Sequence, residues 1–273
     1  MKTARAAWRR LEPVHGMIYF VPEARRRYAD LGLSGRAGYF ASRSAAFGRA
    51  SAELVISTFY NFNPDFVRQA VDGTWEATTP QQVLDARYAA AGEALRRAGI
   101  HQLSDVDEVV TLTHRAAEAA CEHPQGRPLF AAHATLPWPE EPVLRLWHAQ
   151  TLLREFRGDG HVACLLSEGL GGLDALVLHA ATGEVPVDFL KASRAWPEEE
   201  WADTQERLRE RGLLDGDSLS PEGVLLRRHI EDRTDQLALP AYAALGDADC
   251  ERLSELASAF GRAVLEAGLL KLG

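Results

Sequence analysis

Three sets of polar residues could do chemistry by type and spacing. On a helix beginning near Arg10, Glu12, His15, Tyr19 and Glu23 fall three, four and four residues apart, which puts them on one face. Pro22 would end or kink that helix and take Glu23 off the stripe. His148, Thr151 and Glu155 make a second stripe, and His161, Cys164 and Glu168 a third. Imidazoles beside carboxylates suit general acid–base work, with His161 paired to Asp159 or Glu155. The same groups offer a low-ranked metal set of His148, Glu155 and His161, with Glu23 or Asp159 as a further carboxylate. No H-E-x-x-H and no paired E-x-x-H supports metal, so none is favoured. The simplest role for the stripes is a ligand pocket between helices, where a polar face adjoins an apolar one. The candidate lining residues are His15, Tyr19, Glu23, Arg43, His148, Thr151, Glu155, Arg157, Asp159 and His161. The competing reading is solvated faces and core histidines satisfied by their neighbours.

Other catalytic signatures are missing. The sequence holds no G-x-G-x-x-G, no phosphate-binding P-loop and no G-x-S-x-G. "GLGG" at 169–172 lacks the preceding strand that a phosphate loop needs, and reads as a turn. The cofactor, if the protein uses one, is unknown from these motifs. The net charge of −9 and pI near 5.5 oppose general attraction to nucleic acid or anionic membrane. Cys121, Cys164 and Cys250 are far apart and odd in number, which argues against a disulfide framework or structural zinc. The basic start "MKTARAAWRRLEPVHG" leads into no apolar signal core, and no apolar run reaches the roughly 18 residues of a membrane span. A cytoplasmic protein is expected.

The elements that must hold these residues are mostly helices, since Ala, Leu, Arg and Glu dominate and β-branched runs are short. Helices are predicted over 81–98, closed by Gly99, over 143–157, and over 197–211, between Pro197 and Gly212. "LLDGDSLSPEG" predicts a hairpin turning at Asp-Gly, after which Ser220 caps a long helix. In "LLREFRGDGHVACLLSEGL", Gly158 is expected to end one helix and Asp159 to cap the next, leaving Arg157 and His161 beside the junction. The stretch 122–142 holds five prolines. The resulting division is an N-terminal half (1–125), a Pro-rich linker (126–142) and a C-terminal half (143–273).

The halves show traces of duplication. At an offset of 122, Gly38 meets Gly160, Ala41 meets Ala163, Leu54, Val55 and Ile56 meet Leu176, Val177 and Leu178, and Pro64 meets Pro186. Residues 38–67 and 160–190 should then be equivalent helical segments.

The order of helices, "LRERGLL", Asp-Gly hairpin, "LSPEGVLLRR" and "LGDADCERLSELASAF" resembles the winged-helix domain of MarR-type regulators over roughly 165–270. The whole chain, through "HGMIYFVPEA", "GYFASR", "FYNFNP", "LPWPEEP" and "LLREFRGDGH", also resembles an actinobacterial helix-turn-helix family. That family often has His where this chain has Phe156. The resemblance implies a mainly α fold of two tandem MarR-like winged-helix units, each with a small β-hairpin wing, forming a monomeric pseudo-dimer or a homodimer. It implies no reaction. The recognition helix of such a unit would open with Glu198, Glu199, Glu200 and Asp203, and the wing would carry Asp215 and Asp217. Carboxylates there repel phosphate. The leading expectation is therefore a small-molecule-binding protein with a degenerate, acidic DNA-reading surface. A ligand-responsive MarR-like transcriptional regulator is the alternative, and an enzyme using a His/Glu/Asp pocket between the halves the second.

Overall fold

The computed structural model describes residues 2–270 and is mainly α-helical. In chain order the helices are α1 (Lys2–Gly16), α2 (Pro22–Asp30), α3 (Arg36–Ser44), α4 (Ala52–Thr58), α5 (Pro64–Val71), α6 (Thr74–Ala77), α7 (Pro80–Arg97) and α8 (Val106–Cys121). They continue as α9 (Pro128–Ala134), α10 (Pro142–Ser167), α11 (Gly172–Ala180), α12 (Val187–Arg194), α13 (Glu198–Glu210), α14 (Pro221–Ala243) and α15 (Gly246–Glu266). Between α13 and α14, β1 (Leu214–Asp215) and β2 (Ser218–Leu219) pair antiparallel, Leu214 opposite Leu219 and Asp215 opposite Ser218. Among the described residues no single helix is long and apolar enough to cross a membrane.

Local sequence accounts for many of these boundaries. α7 opens with a capping box, Thr79 and Gln82 each satisfying the other's backbone N–H, and closes before Gly99 at φ 72°. The hairpin forms where the Asp-Gly pair predicts one, but one residue further on: Asp215 pairs with Ser218, and the two-residue loop is Gly216 and Asp217, with Gly216 at φ 58°. Ser220 accepts the Gly223 N–H at 3.0 Å and caps α14. Pro22 starts α2, with the short 3-10 turn Met17–Tyr19 separating it from α1.

The Arg-Gly-Asp-Gly-His stretch differs from expectation. α10 runs unbroken from Pro142 to Ser167, with Gly158 and Gly160 in its interior and no helix starting at Asp159. Asp159 does act as a cap, but for a helix 29 residues earlier: its carboxylate accepts the Phe130 N–H of α9 at 2.9 Å. The first N–H groups of α9 have no intrahelical partner, and Asp159 takes the role its own N-cap Arg127 does not play. The Pro-rich segment 126–142 likewise contains α9, whose Leu129, Phe130 and His133 are buried.

Packing divides the chain into two compact units, each assembled from separate stretches on both sides of the Pro-rich segment. The first holds the described residues up to Ala50, residues 73–159, and those from Asp235 onward. Its core is built on Trp147, Phe40, Phe130, Phe156, Phe260, Leu11 and Met17, all fully buried. α1 lies closely against α15: a Cβ on Gly261 would sit 2.3 Å from the Arg10 carbonyl oxygen. The second unit holds residues 51–72 and 160–234. There Trp201 of α13 is buried near α11, Trp196 donates its indole N–H to the Asn61 carbonyl at 2.9 Å, and the Tyr60 hydroxyl donates to the Leu170 carbonyl.

Candidate functional site

In the first unit, side chains from α1, α3, α7, α9 and α10 form one polar group inside an apolar bundle. Two of the three expected stripes contribute. His15 at the end of α1 is fully buried, stacked on Trp147 with ring centroids 5.5 Å apart. The Thr151 hydroxyl donates to the Trp147 carbonyl at 2.9 Å, as a helical threonine commonly does to a carbonyl four residues back. That hydroxyl therefore accepts from His15 Nδ1–H at 2.9 Å. The other ring nitrogen, Nε2, accepts the Tyr19 hydroxyl proton at 2.9 Å. Burial is the main reason His15 stays neutral, its pKa well below the ordinary value; Arg154, Arg87 and Arg43 add to the effect.

Glu155, one turn beyond Thr151, is buried between two arginines. Arg43 Nη2 reaches its two oxygens at 3.3 and 3.4 Å, and Arg154 Nη1 reaches Oε1 at 3.4 Å. Burial pushes the Glu155 carboxyl up, but the Arg43 and Arg154 charges outweigh it and hold the carboxyl below its ordinary range. Arg43 also donates to the Tyr39 hydroxyl at 3.0 Å, and Arg154 donates to Glu12 at 2.7 Å and to Tyr19 at 3.2 Å. Tyr19, Tyr39, Arg154 and Glu12 are half-buried and form the outer edge of the group. At its inner side lie Arg87 and His133, each 1% exposed. Arg87 Nη1 donates to Ser42 Oγ at 3.4 Å, and its guanidinium sits 5.1 Å from the Trp147 ring. Its Nε and Nη2, and both ring nitrogens of His133, have no hydrogen-bond partner among the described residues. Burial, then the Arg87 charge, pushes His133 down to about 3.

The structure thus brings His15, Tyr19, Arg43, Thr151 and Glu155 together and sends the other candidates elsewhere. Glu23 makes a two-pronged pair with Arg97 at 2.7 and 3.1 Å. His148 bonds the Tyr88 hydroxyl through Nδ1 at 2.6 Å and meets the edge of Trp138; burial, then His114, pushes it down to about 4. Arg157 lies over the Trp8 ring and pairs with Asp235 at 3.1 Å, beside a cleft of about 370 Å³, counting its open mouth. Asp159 is spent on α9. His161 belongs to the second unit, where Nδ1 bonds Thr234 at 2.9 Å. Glu168 of the third stripe lies 3.3 Å from His229. The proposed acid–base pairs of His161 with Asp159 or Glu155 are each engaged with other partners. Among the described residues, no three His, Cys, Asp or Glu side chains cluster as metal ligands.

Sequence reasoning passed over Arg87, His133 and Arg154. One signal was available for Arg87: it occupies the register of Val83, Leu84, Ala90, Ala91 and Ala94, the buried face of α7. An arginine in that register must be buried once the helix packs.

In the second unit, Glu198, Glu199, Glu200 and Asp203 are exposed on α13, as are Asp215 and Asp217 at the hairpin. Lys191 meets Glu198 at 2.6 Å. α12 and α13 are joined by a short turn through Ala195 at φ 58°. The chain belongs to a helix-turn-helix family, whose family model matches residues 4–271. No curated protein and no solved structure matches the chain.

Proposed function

We propose that the protein binds a small molecule through the polar group of the first unit, on a scaffold of two tandem MarR-like winged-helix units. The observation that carries this reading is the concentration of buried polar side chains from five helices around Glu155, some with hydrogen-bonding atoms left over. A purely structural network would be expected to close on itself, because each unpaired buried donor costs about 1–3 kcal/mol. The duplication behind the tandem scaffold draws support from Pro64, the first residue of α5, and Pro186, the N-cap of α12, which lie at helix starts within one position of each other at the offset of 122. An experimental structure in which 38–67 and 160–190 fail to superpose would remove it.

Mass analysis of the purified full-length protein, native and denatured, tests the binding role. A co-purifying small molecule should be retained by the wild type and by His161→Ala, and lost from Arg43→Met with the circular dichroism unchanged. Retention by Arg43→Met, or no bound molecule together with no stabilisation by any compound in a metabolite library, defeats the reading.

A ligand-responsive regulator is the second reading, favoured by the helix-turn-helix membership and the hairpin beside α13. The exposed carboxylates of α13 rank it lower, since they oppose phosphate where a reading helix would need cations. Sequence-specific DNA binding by the unmodified protein at physiological salt would reverse the order.

A further inference from the structure

We propose that the ligand is an oxyanion, a carboxylate or phosphate group held by the side-on fork of Arg87. This rests on the binding role proposed above and names the chemistry of the group bound.

The argument begins with one arginine. Arg87 is 1% exposed and makes no ion pair among the described residues. Among the described residues its one hydrogen bond of ordinary geometry is the long 3.4 Å contact to Ser42, made by Nη1, and the buried Tyr28 hydroxyl lies close to the guanidinium as well. The atoms left without partners are Nε and Nη2. On a planar guanidinium, Nε–H and Nη2–H point the same way and form the two-pronged side that matches two oxygens of a carboxylate or phosphate. The unpartnered pair is therefore the one that recognises an oxyanion.

Charge points the same way. Arg43, Arg87 and Arg154 meet near one buried carboxylate, Glu155, which Arg43 and Arg154 already occupy. Among the described residues Glu12 pairs with Arg154, at the outer edge. His15 and His133 are held neutral by burial and by the arginines, so neither adds to nor offsets the charge. One buried positive charge remains uncompensated, and a buried charge of this kind is stable only with a counterion or polar partners. His133 of α9 is likewise buried, and neither of its ring nitrogens has a partner among the described residues. The Arg87 guanidinium lies 5.1 Å from the Trp147 ring, and the Trp147 indole N–H is also unpartnered. Bound water is the competing occupant, and it makes the opposite prediction in a competition between anions.

The test uses the full chain, stripped of any co-purified compound by mild denaturation and refolding. Sodium phosphate and sodium benzoate are each titrated against chloride at constant ionic strength, followed by calorimetry and melting temperature. Binding of phosphate, benzoate or both is expected, and the preferred one tells which oxyanion the fork takes. Arg87→Met should weaken that binding by tenfold or more. Should Arg87→Met not fold, Arg87→Lys carries the test: it keeps the charge, removes the fork and should lose binding to a similar degree. Neither anion binding the wild type, or both variants binding within twofold of it, overturns the proposal. A neutral or cationic compound found in the purified protein, lost from Arg43→Met but kept by Arg87→Lys, would overturn the oxyanion and leave the binding role standing.

Discussion

Replacing Asp159 by asparagine isolates a buried charge that the fold tolerates for the sake of a helix cap. Burial outweighs the hydrogen bonds from Phe130 and Leu129 and lifts the Asp159 carboxyl from 3.8 to about 6. An acid whose folded pKa exceeds its unfolded one binds its proton more tightly in the folded state. Its contribution is present at low pH and is lost as pH rises from 3.8 to about 6. The whole span amounts to about 3 kcal/mol, of which about 2 kcal/mol falls between about pH 4.5 and about pH 7.5. His133 and His148 act in the opposite sense. Burial pushes their pKa values down to about 3 and about 4, so they withdraw stability as pH falls below 6.5. The raw pH profile therefore mixes opposing slopes, and the informative quantity is the difference between wild type and Asp159→Asn. Urea unfolding of both proteins at the two pH values should show the wild type losing about 2 kcal/mol relative to the variant on going to the higher pH. Parallel profiles, agreeing to within about 0.5 kcal/mol, would refute the assignment of a raised Asp159. Asp159→Ala, measured near neutrality, should cost about 1–2 kcal/mol because the first N–H groups of α9 lose their acceptor. A neutral effect would mean that α9 finds another cap.

Glu155→Gln should destabilise the protein by about 3 kcal/mol in denaturant unfolding, since it leaves Arg43 and Arg154 facing each other without the buried carboxylate; a loss under about 1 kcal/mol would mean the pair is solvated. His148→Gln should reduce the stability lost between pH 6.5 and about 4 by roughly 3 kcal/mol, and equal acid slopes in both proteins would show that His148 is not held neutral. Replacing Glu198, Glu199 and Glu200 together with Gln removes three exposed negative charges from α13 and should strengthen non-specific DNA binding in a low-salt filter or anisotropy assay. No gain would place that face away from the duplex.

Local chemistry written along the chain determined the helical class and many element ends. Thr79 with Gln82, Gly99, the Gly216-Asp217 turn and Ser220 each satisfy backbone groups within a few residues, so their outcome needs no distant partner. The His15–Tyr19 bond was legible for the same reason, four residues apart and on one side of the chain. Tertiary structure decided what the glycines around Asp159 would do. A glycine inside a helix costs only about 1 kcal/mol, less than the gain when a long helix stays packed and its aspartate finds orphan N–H groups 29 residues away. It also decided which polar residues meet. Thr151 and Glu155 lie on α10 with His148, yet they face His15 and Arg43 while His148 goes to Tyr88 and Trp138. A helical stripe is broad enough to serve two neighbours, and the crossing of helices, not the spacing, assigns each side chain its partner. Arg87 shows the limit most plainly: its register put it inside, but only the packed structure shows that no carboxylate among the described residues pairs with it.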